Sequence, residues 1–432
     1  MNHPTLRRLR SIGRRPFLRG FVAVIALAVT AAAAPAGKSE DLGLSTERLQ
    51  RIGQVFKRYI DEKQIAGGIS VVTRKGRVAH FETHGMMDLE SKAPMRKDAI
   101  FRMASMTKPV TGVAVLMLVE EGKVRLTDPV SRFIPEFKDT KVAILKTSSA
   151  GQGAGAGSKP PEIYTVPANR EVTVRDLLSH TGGLQSGGAG SREAARIATR
   201  NSTDTLATHI PRLGLVPLDF HPGTEWRYSG LAGIDTLGRI VEVASGLTFD
   251  QFLKQRVFEP LGMKDTSFYP SEDKMSRVAT LYGRTPGGLS RQENPSWLSK
   301  TLFSGGAGLW STADDYAQFA QMLVNGGELN GKRLLSPRTV DLMAANHVGD
   351  LYAQAGPGRR GMGFGLTVEV VANPVDANRR TSAGSFGWDG AFGTHFWVDR
   401  KEQLTGMLLI QQALNAPLNR DFENAVMQAI VD

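Results

Sequence analysis

The chain has no cysteine among its 432 residues. Disulfide bonds and thiolate metal sites are therefore excluded, and so is a lipid-modified cysteine near the N-terminus. Two catalytic motifs are also missing, the GxSxG nucleophile elbow and the HExxH zinc pair. Charged residues make up 22% of the chain, near the globular average, and 41% are hydrophobic. This composition predicts one large or two interleaved folded domains.

Motifs for a bound nucleotide or metal are weak. The segment Gly356–Gly361 matches GxGxxG, but we predict neither a strand before it nor a helix after it. Gly326–Lys332 resembles a phosphate loop, except that Arg333 stands where serine or threonine is needed. His80 and His84 share a predicted strand, yet we find no third ligand at a suitable spacing. The sequence therefore predicts no cofactor and no metal.

Positive charge is concentrated at the N-terminus. The formal net charge is +11, and residues 1–36 contain six arginines and no acidic residue. Without this segment the net charge falls to +5, and no basic stripe with interleaved aromatic residues remains. We therefore expect no nucleic-acid partner.

Residues 1–36 have the organisation of an export signal. The arginine-rich start is followed by the apolar run Phe21–Ala34 and by the small-residue sequence Ala34-Pro35-Ala36. Arg14 and Arg15 precede an apolar pair, as in twin-arginine signals. We predict a cleaved signal and a periplasmic or secreted protein. If the signal is not cleaved, the apolar run is a marginal membrane anchor.

Hydrophobic periodicity predicts helices and strands in a definite order. The predicted helices are one that starts at Ser105 and six others, Ser45–Asp61, Val174–Leu178, Leu231–Ser245, Asp250–Val257, Ala313–Asn325 and Phe422–Val431. The predicted strands are Gly68–Val72, Arg77–Glu82, Gly363–Val371, Gly393–Val398 and Leu404–Gln411.

This order predicts an α+β fold. Short turns between successive strands favour an antiparallel sheet, flanked by helices and built from both ends of the chain. The helical middle, roughly residues 110–310, is then an inserted helical domain, and residues 44–432 form the whole folded region. Residues 148–161 are rich in glycine and alanine without periodicity, which predicts a flexible surface insertion.

Ser105-Met106-Thr107-Lys108 is the strongest chemical feature. Residues three apart share a helix face, so Lys108 is expected beside the Ser105 hydroxyl. A neutral amine there can accept the serine proton, and the helix N-terminus favours an anion. By itself the pattern is common, because chance gives roughly one serine–lysine match in such a chain. The alternative interpretation is that Ser105 only caps the N-terminus of the helix. A second serine–lysine match begins at Ser271, and its sequence resembles a solvated turn.

Two further segments are candidates for the same site. Tyr228 follows the turn His221–Thr224. A tyrosine near a lysine can relay protons to and from a serine. The alternative interpretation is that Tyr228 is a half-buried core residue. Gly384–Gly393 is glycine-rich, so its backbone can approach a ligand and point an N–H group at a substrate oxygen. Its alternative is an ordinary hairpin turn.

Taken together, five ordered segments resemble the serine β-lactamase-like hydrolases, which include class C β-lactamases, D-alanyl peptidases and family VIII carboxylesterases. The resemblance runs from about Leu44 to the C-terminus and implies an antiparallel sheet flanked by helices, with a helical domain. The matching segments are Phe101–Pro109, Leu177–Leu184, Pro222–Ser229, Gly308–Thr312 and Phe392–Asp399.

The resemblance also implies roles. Ser105 would be the acylated nucleophile, with Lys108 and Tyr228 as its proton network. The backbone N–H groups of Ser105 and Ala391 would form the oxyanion hole.

Two departures from the family pattern bear on the substrate. Gly230 stands where the tyrosine motif often ends in asparagine, and Trp388-Asp389-Gly390 replaces the Lys-Thr-Gly of the β-lactamase edge strand. Trp388 and Gly390 are the expected substrate-binding positions, and an apolar platform suits an uncharged group. We therefore predict an exported carboxylesterase acting on a small-molecule ester or amide. A β-lactamase or D-amino-acid peptidase is the alternative, favoured if a cation from elsewhere reaches the site. A catalytically silent binding protein is the third possibility. The oligomeric state is left open.

Overall fold

The computed structural model describes Met1 and residues 39–146, 162–295, 297–413 and 415–432. Apart from Met1, the predicted signal at residues 1–36 lies outside the described residues, and so does the predicted insertion at residues 148–161.

Sixteen strands occur in the described residues. In chain order they are β1 Gly67–Arg74, β2 Arg77–Asp88, β3 Ala93–Pro94, β4 Ile100–Arg102, β5 Lys141–Leu145, β6 Ile163–Pro167, β7 Tyr282–Thr285, β8 Gly288–Arg291, β9 Trp310–Thr312, β10 Glu328–Leu329, β11 Lys332–Arg333, β12 Met362–Phe364, β13 Glu369–Val371, β14 Phe386–Asp389, β15 Thr394–Asp399 and β16 Leu404–Leu409.

Thirteen α-helical segments accompany them in the same part of the chain. They are α1 Thr46–Asp61, α2 Thr107–Glu120, α3 Val174–Leu178, α4 Ser191–Ile197, α5 Leu206–Gly214, α6 Ala232–Ser245, α7 Phe249–Leu253, α8 Glu259–Leu261, α9 Ala313–Val324, α10 Pro337–Met343, α11 Leu351–Gln354, α12 Pro374–Ala377 and α13 Ala416–Met427.

One eight-stranded sheet organises the fold, in the order β12-β13-β14-β15-β16-β1-β2-β3. All its neighbours are antiparallel, and β1 pairs with β16, so strands from the two ends of the chain meet at the centre. Trp397 lies opposite Gly406 in the register. A Cβ on Gly406 would lie 2.0 Å from the Trp397 ring, so only glycine fits beneath it. The predicted α+β fold with an antiparallel sheet is confirmed.

The sheet is covered on both faces because its strands alternate their side chains. Val72 and Trp397 point to one face, where they pack against apolar residues of α1 and α13. Val71 and Phe396 point to the other face and join the main core with α2, α6 and α9. Between β4 and β9, which pair with each other, the chain forms helices α2–α8 and two small hairpins.

Several predicted elements are confirmed with small shifts. Helix α1 begins after Ser45, whose hydroxyl accepts a hydrogen bond from the Arg48 N–H. The helix predicted at Asp250–Val257 is longer, because α7 continues through a π-helical turn, Lys254–Phe258, into α8.

Two predicted elements were wrong. Gly363–Val371 is two strands, β12 and β13, because the chain turns at Gly365, and Thr367 there has a φ of 69°. The last helix starts at Ala416 rather than Phe422, since Asn415 caps it by accepting from the Leu418 N–H.

Strand β2 adds a third candidate ligand to His80 and His84. Side chains two apart on a strand share a face, so Glu82 lies between His80 and His84 as a third candidate ligand. Glu82 is therefore a third ligand at a suitable spacing, which the expectation for His80 and His84 did not include. Among the described residues, no helix combines the length and apolar character that crossing a bilayer requires.

Candidate active site

Ser105 lies in a single 3₁₀ turn, Ala104–Met106, between β4 and α2. Ala104 has a φ of 46°, a left-handed conformation that costs a non-glycine residue about 1–3 kcal/mol. Tertiary contacts hold this strained turn: the Thr394 hydroxyl donates to the Met103 carbonyl at 3.0 Å. The turn leaves the Ser105 side chain half-buried at the start of the helix.

Lys108 lies where the spacing predicted. Its Nζ donates to Ser105 Oγ at 3.1 Å, to the Gly230 carbonyl at 2.6 Å and to the Gly306 carbonyl at 2.7 Å. The residue is fully buried, with 0% of its surface exposed. An ammonium group has three hydrogens, so these three acceptors use all of its donors. The amine is therefore held in one position beside the serine.

Asp235 supports this arrangement from behind. Its Oδ1 accepts from the Gly306 N–H at 2.9 Å and from the Ser304 hydroxyl at 2.7 Å. Burial raises the pKa of the Asp235 carboxyl above its ordinary value, while its hydrogen bonds and the Lys108 charge oppose that shift. Asp235 thus orients the segment whose carbonyl binds Lys108. Sequence reasoning missed it, because no motif links a residue of α6 to residue 306.

Tyr228 approaches Ser105 from the other side. Its hydroxyl donates to Ser105 Oγ at 2.7 Å, and Lys108 Nζ lies 4.8 Å from the centre of its ring. The ring packs beside His180 and Trp388, with centroids 4.8 and 5.6 Å away. Burial lowers the pKa of His180 well below its usual range, so this imidazole is neutral. The structure therefore brings the three predicted catalytic side chains together around one oxygen.

The turn after β14 supplies backbone donors. The N–H groups of Ser105 and Ala391 make no hydrogen bond to another described residue, and both residues line the same cavity. Gly390 lies against the nucleophile turn, since a Cβ there would be 2.4 Å from the Met103 carbonyl oxygen. Two free N–H groups beside a nucleophile are the arrangement that binds an oxyanion.

Strand β14 is not at the edge of the sheet, contrary to the expectation for Trp388–Gly390. It lies third from one end, and β13 pairs only with its first two residues, Phe386 and Gly387. The β13 side of Trp388 and Asp389 therefore has no strand partner. Because β13 is short, an interior strand presents a local free edge beside Ser105.

A cavity of about 560 Å³ opens at Ser105. Trp388, Tyr228 and Tyr352 make part of its wall aromatic. Gly390 and Ala391 complete the part nearest the nucleophile. The volume is in the usual range for a small-molecule site.

Arg359 is a cation that the sequence analysis did not assign to this cavity. Its guanidinium lies 4.6 Å from the centre of the Trp226 ring and 4.7 Å from that of Tyr352. It makes no ion pair with any described acidic residue. Arg359 lies in Gly356–Gly361, the segment that failed as a nucleotide loop. Its only sequence signal was positive charge in a glycine-rich stretch.

The rest of the cavity wall offers unused hydrogen-bonding groups. Six lining side chains have a buried polar atom without a partner among the described residues: Thr381, Ser385, Trp388, His395, Trp397 and Asn419. Apart from Trp388, each of these residues is less than a tenth exposed. A ligand with polar groups therefore finds both an aromatic wall and hydrogen-bonding groups here.

Comparison with known proteins identifies the family. The beta-lactamase family model matches residues 52–428. The chain belongs to the beta-lactamase family. Esterase EstB of Burkholderia gladioli is 30% identical over 405 residues, covering 87% of this chain and 94% of EstB. Protein Rv1367c of Mycobacterium tuberculosis is 35% identical over 370 residues, covering 82% and 88%.

A solved structure agrees with this assignment. EstCE1, described as a hydrolase with promiscuous acyltransferase activity, superposes with a TM-score of 0.73 at 27% identity. The match covers 88% of this chain and 99% of EstCE1. The chain is therefore a serine hydrolase of the β-lactamase fold, as the five sequence segments predicted.

The contact between Gly390 and the nucleophile turn generates a prediction. In Gly390→Ala the new Cβ would lie 2.0 Å from Thr394 Oγ1 as well as close to Met103, so the turn that carries Ala391 must move. Misplacement by about 1 Å can cost 10²-fold in rate, and we expect kcat for p-nitrophenyl acetate to fall by about that factor. Gly356→Ala is the control, because a Cβ there meets nothing within 4 Å. Equal kcat in the two variants would show that the Gly390 contact does not position the site.

Proposed function

We propose that this protein is an exported carboxylesterase that works through an acyl-enzyme on Ser105. One observation carries the proposal: Ser105 Oγ lies within hydrogen-bonding distance of both Lys108 Nζ and Tyr228 Oη, at the mouth of an aromatic cavity. The nucleophile and its two proton carriers thus lie side by side at the cavity that would bind the substrate.

In the acylation step, Lys108 stays an ammonium and Tyr228, in the form that has lost its hydroxyl proton, is the base. Ser105 Oγ attacks the ester carbonyl carbon, and its proton passes to Tyr228 Oη across the 2.7 Å contact. The C=O electron pair moves onto oxygen, where the N–H groups of Ser105 and Ala391 stabilise the charge. When the tetrahedral intermediate collapses, the C–O bond to the alcohol breaks. Tyr228 is well placed to protonate the leaving alkoxide, because its hydroxyl faces the cavity beside Ser105 Oγ.

Deacylation repeats these steps with water. Tyr228, which gave its proton to the alcohol, accepts a proton from water as the water attacks the acyl carbonyl. The bond between Ser105 Oγ and the acyl carbon then breaks, and Tyr228 returns that proton to Ser105 Oγ. Lys108 stays in place through both half-reactions, because two of its three hydrogen bonds go to backbone carbonyls. The network is thus restored without a cofactor.

An ester is favoured over a β-lactam by what surrounds the nucleophile. Trp388 presents an aromatic ring at the position where β-lactamases of this family carry lysine, and a ring favours apolar groups over a carboxylate. Gly230 provides no side-chain amide, and a Cβ there would meet nothing within 4 Å. The relatives named for esterase activity support the same choice.

Arg359 favours the alternative, a β-lactamase or D-amino-acid peptidase. β-Lactams and peptides carry a carboxylate, and Arg359 lines the cavity without an ion pair to a described acidic residue. Desolvation raises the pKa of the Glu369 carboxyl, and the Arg359 charge opposes that rise. The Arg359 guanidinium lies within 5 Å of two ring centres, and a guanidinium in such a place can bind a carboxylate. The substrate panel below decides between these activities.

Covalent labelling tests the assignment of Ser105 as the nucleophile. A fluorophosphonate should add one label to the protein, because Ser105 is flanked by both proton carriers. Ser105→Ala should abolish the label in intact-mass measurements, whereas Ser271→Ala, at the second serine–lysine match, should keep it. A label that survives in Ser105→Ala would exclude this nucleophile.

Proton transfer through Tyr228 is tested by Tyr228→Phe. The ring contacts with His180 and Trp388 remain, but the hydroxyl that donates to Ser105 is lost. General acid–base catalysis commonly contributes about 10²–10⁴ in rate, so we expect kcat to fall at least ~10²-fold with little change in Tm. Near-normal turnover would make Tyr228 a packing residue only.

Substrate choice is tested with p-nitrophenyl esters, a chromogenic cephalosporin and a D-alanyl amide on one preparation. We expect kcat/KM for the cephalosporin to be at least ~10³ below that for short esters, or about 4 kcal/mol of transition-state stabilisation. Trp388→Lys should narrow the difference by weakening ester hydrolysis.

A substitution of Arg359 is the control for this panel. Arg359→Gln should leave uncharged esters unaffected and slow only substrates that carry a carboxylate. The esterase assignment would be overturned by two results together. The unmodified protein would have comparable kcat/KM on the esters and the cephalosporin, and Arg359→Gln would lose its activity on the cephalosporin.

Export is part of the proposal and rests on the sequence of residues 1–36. If Arg14 and Arg15 direct twin-arginine transport, changing both to lysine should leave full-length protein in the cytoplasm, as seen by fractionation and immunoblotting. Changing Arg7 and Arg8 to lysine is the matched control. Unchanged export of the Arg14/Arg15 variant would point to the general secretory route.

A further inference from the structure

A second group of chemically active side chains lies on β2, away from the cavity. One candidate ligand atom from each of His80, Glu82 and His84 lies within 4.8 Å of the other two. Residues i, i+2 and i+4 of a strand point to the same face, so the arrangement follows from the strand itself. Four strand steps separate β2 from β14, or about 19 Å at 4.7–4.9 Å per step.

The two imidazoles are fixed by their surroundings. Ser70, fully buried on β1, has its Oγ 2.7 Å from His80 Nε2 and 2.8 Å from His84 Nε2. The His84 ring also stacks on Phe56 of α1, with centroids 4.0 Å apart and planes 19° apart. Neither ring can turn without losing these contacts, so the ligand atoms are positioned before any ion arrives.

The Ser70 hydroxyl also suits the chemistry of metal ligands. Its oxygen has two lone pairs and can accept a hydrogen bond from both Nε2–H groups, which leaves the Nδ1 lone pair of each ring available. Metal-binding histidines commonly use the second ring nitrogen in this way. His80 Nδ1 lies 3.8 Å from Glu82 Oε1, close to the roughly 3.4 Å between two ligands of one tetrahedral zinc ion.

The charge at this site favours a cation. Glu82 is exposed and has no lysine or arginine partner among the described residues. Gly53 of α1 faces Glu82, and even a Cβ there would remain 3.6 Å from its carboxylate. The carboxylate therefore has room to rotate toward an ion.

We propose that His80, Glu82 and His84 bind one divalent ion of the zinc type, with solvent completing a four-coordinate site. Two imidazoles and a carboxylate suit zinc and its neighbours rather than magnesium or calcium, which prefer oxygen ligands alone. The distance from Ser105 makes this a structural site that stabilises β1, β2 and the α1 face, and hydrolysis does not depend on it.

The test is a zinc titration of tag-free protein, since a polyhistidine tag would bind the same ion. After treatment with a chelator, calorimetry or competition with a chromogenic chelator should show one zinc ion per chain. His84→Gln removes one ligand and should weaken zinc binding by at least ~10²-fold. Even residues that only hydrogen-bond to a metal ligand contribute about 10–100-fold to metal affinity. Glu82→Gln should also weaken zinc binding. Because Glu82 is exposed, this substitution should leave the protein folded.

Two controls complete the experiment. His221→Gln removes a histidine far from the cluster in sequence and should leave zinc affinity unchanged. Zinc should raise the Tm of the parent but not of Glu82→Gln, while kcat for p-nitrophenyl acetate stays the same with and without zinc. Absence of stoichiometric binding in the folded parent, or equal affinity in parent and Glu82→Gln, would overturn the proposal.

Discussion

The ammonium group of Lys108 is the constraint on which the site depends. A buried charge costs several kcal/mol unless hydrogen bonds replace the lost water. Here the carbonyls of Gly230 and Gly306 and the Ser105 hydroxyl provide that replacement. These acceptors come from three separate segments of the chain, so satisfying one amine fixes the relative positions of all three. Ser105, the proposed nucleophile, belongs to one of the three segments.

This constraint explains other features around the site. Burial disfavours the charged form of the Asp235 carboxyl and raises its pKa. The same carboxyl accepts the Gly306 N–H and so orients the Gly306 segment against Lys108. Ala104 keeps a left-handed backbone that places Ser105 at the cavity mouth. Each is unfavourable locally, and each is held by contacts with distant residues. Strain and buried charge of this kind are common where a protein positions reactive groups.

The cavity combines two kinds of surface, and the combination bears on the substrate. The rings of Tyr228, Trp388 and Tyr352 suit apolar groups, and six lining side chains, Trp388 among them, have a buried polar atom without a partner in the described residues. Arg359 adds one cation between aromatic rings. A small acyl group against Trp388 with a polar alcohol portion, or the reverse, would use both surfaces. Neither surface was visible as a motif, because the lining residues come from many segments.

The sequence by itself predicted most of the elements, the family and the place of Lys108. Helical spacing predicted Lys108 beside Ser105, five ordered segments predicted the family, and strand order predicted an antiparallel sheet from both chain ends. These features depend on local periodicity and on short motifs. The tertiary structure alone decided the rest: the acceptors around Lys108, the free edge of β14, the position of Arg359 in the cavity and the Ser70 hydroxyl beside His80 and His84. Each depends on which segments the sheet and core bring into contact, and contact between distant segments is set by packing rather than by local spacing.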